Sequence, residues 1–213
     1  MIIATTTITR TFGIVAPTLT ILQCLAQANR IRTTGARGVS LATWILSAFV
    51  SQVWFCYGII FHVFAEIVAN IPAITVSLVV AFLAARSQGK VARCVMGYFA
   101  VTVITVAATF AGSFHDLRWV LASLAVGSAI IIYLPQLALV IRPKDLSGIS
   151  IISWCLASVT SGCWFVYGIL IHQPPVAIPS LVMLPSAFII FVQASRHRIQ
   201  NNPRTGLQAP IVE

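Results

Sequence analysis

Seven long apolar stretches, separated by short polar segments, dominate this sequence. Each is about 20 residues long, which is the length an α-helix needs to cross the roughly 30 Å hydrocarbon core of a bilayer. Only 8% of the residues are charged, whereas soluble domains have about 25%, so a soluble globular core is excluded. The sequence therefore predicts an all-α membrane protein with seven transmembrane helices. They lie near residues 12–29, 40–61, 65–85, 94–113, 119–141, 149–171 and 175–195.

The basic residues segregate to one side of these predicted helices. Eleven of the 13 Lys and Arg residues fall on the side that holds the C-terminus, and only Arg10 and Arg118 fall on the other. Cytoplasmic loops carry such an excess, so we expect an outside N-terminus and a cytoplasmic C-terminus, in the plasma membrane. Residues 196–213 are expected to form a disordered cytoplasmic tail. Because the charges occur in short clusters between apolar stretches, the net charge of +9 does not indicate nucleic-acid binding.

The second half of the chain repeats the first at an offset of 110 residues. The pairs are Trp44 and Trp154, Ser51 and Ser161, Trp54 and Trp164, Tyr57 and Tyr167, and His62 and His172. We therefore expect a three-helix repeat at 12–85, a linker helix at 94–113 and a second repeat at 119–195. The linker reverses the chain, so the two bundles run parallel (3+1+3) about an axis along the membrane normal. Substrate sites in such proteins lie near the midplane, between the repeats.

These residues resemble the PQ-loop family. The resemblance rests on Leu134-Pro135-Gln136, on Ser147-Gly148-Ile149-Ser150 and on the Trp164-Phe165-x-Tyr167-Gly168 run. The 3+1+3 arrangement with an outside N-terminus is similar to the SWEET sugar transporters of that family. The resemblance implies that Trp54, Trp164 and Asn70, sixteen residues after Trp54, line a sugar pocket. Ser180 stands where the family has a second Asn, and the rival role for both tryptophans is packing.

The remaining candidate residues each have a structural alternative. Pro135 removes a backbone hydrogen bond, so Pro135 with Gln136 forms either a fixed kink or a moving hinge. It is the only one of the family's four hinge prolines that this chain keeps. His62 and His172, at the outer ends of their helices, are interfacial anchors or an outer gate. Ser51 and Ser161 are helix-packing residues first and solute ligands second.

The acidic residues are few, and the sequence places each of the four in a loop or at a helix end. Proton-coupled carriers usually have ionisable groups within the membrane, so the sequence favours passive uniport of a small neutral polar solute. The resemblance to the SWEET transporters implies that this solute is a mono- or disaccharide. No hydrolase, metal or phosphate-loop pattern occurs, so we expect no cofactor, no metal and no enzymatic activity. The expected partners are the solute and the lipid bilayer, and the sequence leaves a homo-oligomer open. The alternatives are a PQ-loop carrier of amino acids or another metabolite, or a non-transporting membrane receptor.

Overall fold

The computed structural model describes residues 2–34, 41–133 and 151–200, and every regular element in these ranges is helical. The prediction of an all-α chain is confirmed for these residues. The helices are α1 (Ile2–Thr34), α2 (Leu41–Ile60), α3 (Phe64–Ser87), α4 (Val91–Ser113), α5 (Arg118–Ile131), α6 (Ile151–Leu170), α7 (Pro174–Ala177) and α8 (Ser180–Gln200). A 3-10 turn at His115–Leu117 precedes α5.

Six helical segments in these ranges are long and apolar enough to cross a membrane. They are Thr6–Ala26, Leu41–Ile60, Phe64–Ser87, Val91–Ser113, Ile151–Leu170 and Pro174–His197. They correspond to six of the seven predicted spans, and the chain is an integral multi-pass membrane protein. The remaining predicted span, 119–141, begins with α5 and continues past residue 133, outside the described residues. Seven spans and the 3+1+3 arrangement therefore stay predictions.

Two spans differ from the sequence prediction. Helix α1 begins at Ile2 rather than near residue 12 and is 33 residues long. The last span is interrupted, because α7 ends at Ala177 and α8 begins only after Pro179. Proline has no N–H group and its ring clashes with the preceding turn, so it breaks a helix that would otherwise continue. The break places Ser180 at a helix N-terminus, whereas Asn70, at the equivalent position of the first repeat, lies inside α3.

The 110-residue repeat is present in the backbone as well as in the sequence. Helices α2 and α6 end at equivalent residues, Ile60 and Leu170. Each is followed by a turn in which a histidine adopts a left-handed conformation, with φ of 57° at His62 and 54° at His172. Histidine is among the residues that tolerate this region best after glycine and asparagine, so the two histidines have a shared backbone role.

Both turns close with the same hydrogen bonds. The N–H of Val63 donates to the carbonyl of Gly58, and the N–H of Gln173 donates to the carbonyl of Gly168, each at 2.9 Å. A bond from the residue after the left-handed position back to the helix is the Schellman arrangement, which satisfies carbonyls at a helix end. Each tight turn reverses the chain direction within a few residues, so that α3 packs on α2 and α7 packs on α6.

Gly168→Ala should destabilise the protein, whereas Gly162→Ala in the same helix should not. A Cβ atom at Gly168 would lie 2.6 Å from the backbone N of Ala177, while a Cβ at Gly162 meets nothing within 4 Å. Overpacking of this kind costs about 1–3 kcal/mol, and replacing an unconstrained helix glycine by alanine gains about 0.5–1 kcal/mol. Thermal unfolding of the two variants in detergent micelles measures the difference. Equal midpoints would show that α6 and α7 do not approach as closely as described.

Helix α3 packs through a stripe of small side chains. Members of the stripe are four residues apart and all are buried: Ala65, Ala69, Ala73, Ser77, Ala81 and Ala85. Small residues allow helix backbones in a membrane to approach closely. On the opposite side, Ile71, Val79 and Phe82 are about half exposed, as expected for lipid-facing positions. Residues 66 and 70 directly follow the first two members of the stripe and therefore lie at the edge of the packed face.

Two of the helix contacts correspond under the predicted repeat. Helix α1 packs on α3 and α6, and α2 packs on α3, α4 and α5. In the predicted repeat α5 corresponds to α1 and α6 to α2, so the α1–α6 and α2–α5 contacts correspond to each other. Between them, the helices of the two predicted repeats line a cavity.

Candidate functional site

A cavity of about 160 Å³ lies where the helices of the two predicted repeats meet. Its walls come from α1, α2 and α3, from the end of α5, and from α6, α7 and α8. A buried cavity of roughly 150 Å³ is large enough to hold a six-membered ring. The cavity therefore has the size of a single ring, and its chemistry decides which kind of ring fits.

The two tryptophans predicted for the pocket both line this cavity. They occupy equivalent positions, since Trp54 packs edge-on against Tyr57 at 5.2 Å and Trp164 packs edge-on against Tyr167 at 5.8 Å, measured between ring centroids. They differ in their polar contacts, because Trp164 Nε1 donates a hydrogen bond of 3.1 Å to Thr20 Oγ1 in α1. That bond joins α6 to α1 and fixes the indole plane of Trp164.

Asn70 also lines the cavity and is paired with an acid one helical turn earlier. Its Nδ2 donates to the main-chain carbonyl of Glu66 at 2.8 Å and to Glu66 Oε2 at 3.0 Å. Both side chains are buried, with Asn70 8% and Glu66 6% exposed. With its N–H groups directed to Glu66, the amide keeps Oδ1 as the atom with which it can accept a further hydrogen bond.

The burial of Glu66 adds to the sequence analysis. Its place in the first turn of α3 agrees with the prediction, but the sequence analysis did not anticipate that it is buried and lines the cavity. The cause is the close approach of α2. A Cβ atom at Gly58 would lie 3.1 Å from Glu66 Cβ, so glycine at position 58 allows α3 to bring this carboxyl inside.

The predicted serines divide into two groups. Ser161 and Ser180 line the cavity and are 2% and 3% exposed, respectively. Ser51 is buried in α2 but does not line the cavity.

One cavity hydroxyl has no partner, and sequence reasoning missed it. Thr160 is 6% exposed, and its Oγ1 makes no hydrogen bond in the part of the chain that the structure describes. A buried polar atom left unpaired costs about 1–3 kcal/mol, so this hydroxyl favours a ligand that can bond to it. Two polar residues of α1, Thr20 and Gln23, also line the cavity and were likewise not predicted. Their only sequence signal is polarity within an apolar helix, which is weak because such residues also join helices.

Beyond the cavity, toward the two histidine turns, aromatic side chains close the space between the repeats. Tyr57 is fully buried, stacks on Phe61 at 4.3 Å between ring centroids, and donates a 2.9 Å hydrogen bond to Oε1 of Gln173. His62 and His172, predicted as anchors or an outer gate, are exposed on the turns and do not line the cavity. The Tyr57–Gln173 hydrogen bond is therefore one contact that joins the two predicted repeats at this end.

Tyr57→Phe should loosen this end of the molecule. A hydrogen bond of this kind contributes about 1 kcal/mol net, so its loss should raise the rate of hydrogen exchange in residues 57–66 about fivefold. The control is Tyr167→Phe at the equivalent position, where the ring packs toward Gly13 of α1. Unchanged exchange in Tyr57→Phe, or an equal change in both variants, would show that the bond does not hold the two repeats together.

The predicted hinge, Pro135 and Gln136, lies outside the described residues. Within the described ranges, no group of three or more His, Cys, Asp or Glu side chains is arranged to hold a metal ion.

Comparison with solved structures identifies the fold. The chain superposes on a structure described as "The 3.7 A resolution structure of a eukaryotic SWEET transporter" with a TM-score of 0.75. The alignment covers 90% of this chain and 99% of the other, at 13% sequence identity. The protein thus has the fold of a SWEET transporter, as its resemblance to the PQ-loop family implies. No family model matches the sequence, and no curated protein does.

Proposed function

We propose that this protein is a passive carrier, a uniporter, that moves a small neutral polar solute across the plasma membrane. The solute is a sugar, and the two repeats alternate in opening the cavity to either side. The observation that carries the proposal is the ring-sized cavity between the repeats, lined by Trp54 and Trp164 together with the amide of Asn70. The fold shared with a SWEET transporter supports it.

The lining suits a sugar. An indole face packs against the C–H groups of a pyranose ring, since aromatic side chains combine a large apolar surface with a polar edge. Hydroxyl and amide groups, which both donate and accept hydrogen bonds, match the alternating character of sugar hydroxyls. Thr160, Ser161 and Ser180 supply such hydroxyls. The volume of about 160 Å³ favours a monosaccharide, because a disaccharide requires the cavity to enlarge.

An amino-acid substrate fits less well. Its carboxylate needs a positive partner, because an unpaired charge in a low-dielectric site is very costly. The described residues that line the cavity include no Lys or Arg. A carrier is preferred to a non-transporting receptor or to an enzyme because the fold is shared with a SWEET transporter.

The test is uptake by proteoliposomes that contain the purified protein. Radiolabelled hexoses, pentoses, disaccharides and amino acids are offered separately, and protein-free liposomes give the background. We expect saturable uptake of at least one monosaccharide, and little uptake of disaccharides. Uptake of amino acids without sugars would replace the proposal by the amino-acid carrier, and no uptake of any solute would favour the receptor.

A further inference from the structure

The two repeats present different chemistry to the cavity. Ten lining residues of α2, α3 and their equivalents form five pairs at the 110-residue offset: Val50 and Thr160, Trp54 and Trp164, Glu66 and Val176, Ala69 and Pro179, and Asn70 and Ser180. The tryptophans are identical, and Asn70 and Ser180 are both polar. Two pairs differ in polarity: the second repeat has the hydroxyl group of Thr160 where the first has Val50, and the first has the carboxyl group of Glu66 where the second has Val176. The only acid among these ten residues therefore lies on the side of the first repeat, with a valine at the equivalent place in the second.

The buried carboxyl group of Glu66 has few polar partners within the described protein. It is 6% exposed, and no Lys, Arg or His of the described ranges lies within salt-bridge distance of it, since the one ion pair found there joins His115 and Asp116. Its bond from Asn70 engages Oε2, and a carboxyl group can accept several hydrogen bonds through its two oxygens. A buried carboxyl group with so few partners costs free energy. A solute that donates a hydrogen bond to it offsets that cost.

We propose that Glu66 accepts a hydrogen bond from one hydroxyl group of the bound sugar, and that this bond fixes the sugar in a single orientation. The proposal rests on the sugar-carrier function above and adds a specificity-determining residue to it. Since Val176 offers no acceptor, turning the ring over would leave that hydroxyl against an apolar side chain. Asn70 Oδ1, held in place by the donor groups that point to Glu66, adds a second acceptor at the same end of the cavity.

The test combines monodeoxy analogues of a transported hexose with changes at position 66. Binding is measured by the quenching of tryptophan fluorescence in detergent, and each analogue lacks one hydroxyl. In the wild type we expect one ring position whose removal weakens binding about tenfold. In Glu66→Val, which copies the second repeat, the parent sugar should bind about tenfold more weakly and the penalty at that position should disappear. Penalties at the other positions should stay, because coupling appears only between groups in contact.

Matched variants keep the test decisive. Ser77→Ala changes a buried polar residue of α3 that does not line the cavity, so it should leave every penalty unchanged. If Glu66→Val does not fold, Glu66→Leu serves instead. Leucine likewise offers no hydrogen-bond acceptor, so the penalty at that ring position should again disappear.

An unchanged penalty in both Glu66 variants, or equal penalties at opposite ring positions in the wild type, would overturn the proposal. Failure of the wild type to bind any hexose is a different result and would refute the sugar-carrier function itself. The two failures are distinguishable because the first requires sugar binding and the second excludes it.

Discussion

Trp54→Ala and Asn70→Ala should each reduce sugar uptake at least tenfold while leaving the protein folded. The loss of tryptophan removes one wall of the cavity, and buried aromatic side chains contribute 150–250 Å² of contact surface. The loss of the amide removes an acceptor and leaves the Glu66 carboxyl without its partner. A tenfold loss corresponds to about 1.4 kcal/mol. Initial uptake rates in proteoliposomes, normalised to the amount of reconstituted protein, measure the effect.

Each variant has a control of the same residue class outside the cavity. Trp119 in α5 is 64% exposed, so Trp119→Ala should retain wild-type uptake. Ser77→Ala tests the loss of a buried polar group from α3 away from the cavity. Wild-type rates in both Trp54→Ala and Asn70→Ala, with normal size-exclusion profiles, would show that these residues only pack. The cavity would then not be the solute-binding site.

The second large effect concerns the end point of uptake. A uniporter brings its solute to equal concentrations on both sides and no further, whatever gradient of protons or voltage is imposed. The membrane potential exerts about 2.3 kcal/mol per charge per 100 mV, but a neutral solute that crosses without an ion does not respond to it. We therefore expect an internal to external ratio of about one in vesicles with an imposed pH gradient, with and without a protonophore.

The presence of Glu66 in the cavity is the reason to test for proton coupling by the end point of uptake. Coupling to protons needs a group that changes its protonation inside the membrane, and Glu66 is the only acidic side chain among the described residues that line the cavity. Uniport predicts that the wild type and Glu66→Gln reach the same end point, even if their rates differ. Accumulation of sugar in the wild type that collapses with a protonophore and is absent in Glu66→Gln would show proton coupling through Glu66.

The repeat and the helices could be predicted because their signals are local in the sequence. Apolar length marks a membrane helix, and rare residues at a fixed offset mark the two copies. The pair Trp54 and Trp164 belongs to this repeat, and the C-terminal ends of α2 and α6 agree at the same offset. The small stripe of α3 is also visible in the sequence, and Glu66 and Asn70 share its four-residue spacing. That spacing is the signal by which Glu66 could have been found.

The remaining features depend on contacts that no single segment determines. Glu66 is buried because α2 approaches α3 at Gly58. The bond between Tyr57 and Gln173 joins residues that are 116 positions apart. Thr160 stands out only because its hydroxyl lacks a partner once the helices are packed. The break after α7 has a sequence signal in Pro179, but proline also occurs inside α3 and α8, so the proline alone does not distinguish a break from a kink.

Solute counterflow tests the central claim most directly. Proteoliposomes are loaded with an unlabelled transported monosaccharide and diluted into medium that contains a trace of the same sugar with a radioactive label. A carrier whose cavity faces the two sides in turn returns from the inside mostly with unlabelled sugar, so labelled sugar should rise transiently above its external concentration and then decay. The wild type should give this overshoot, and Trp54→Ala should not. A simple rise to equilibrium would indicate a channel, and binding of the sugar without any entry of label would indicate a receptor. Either result would contradict the account.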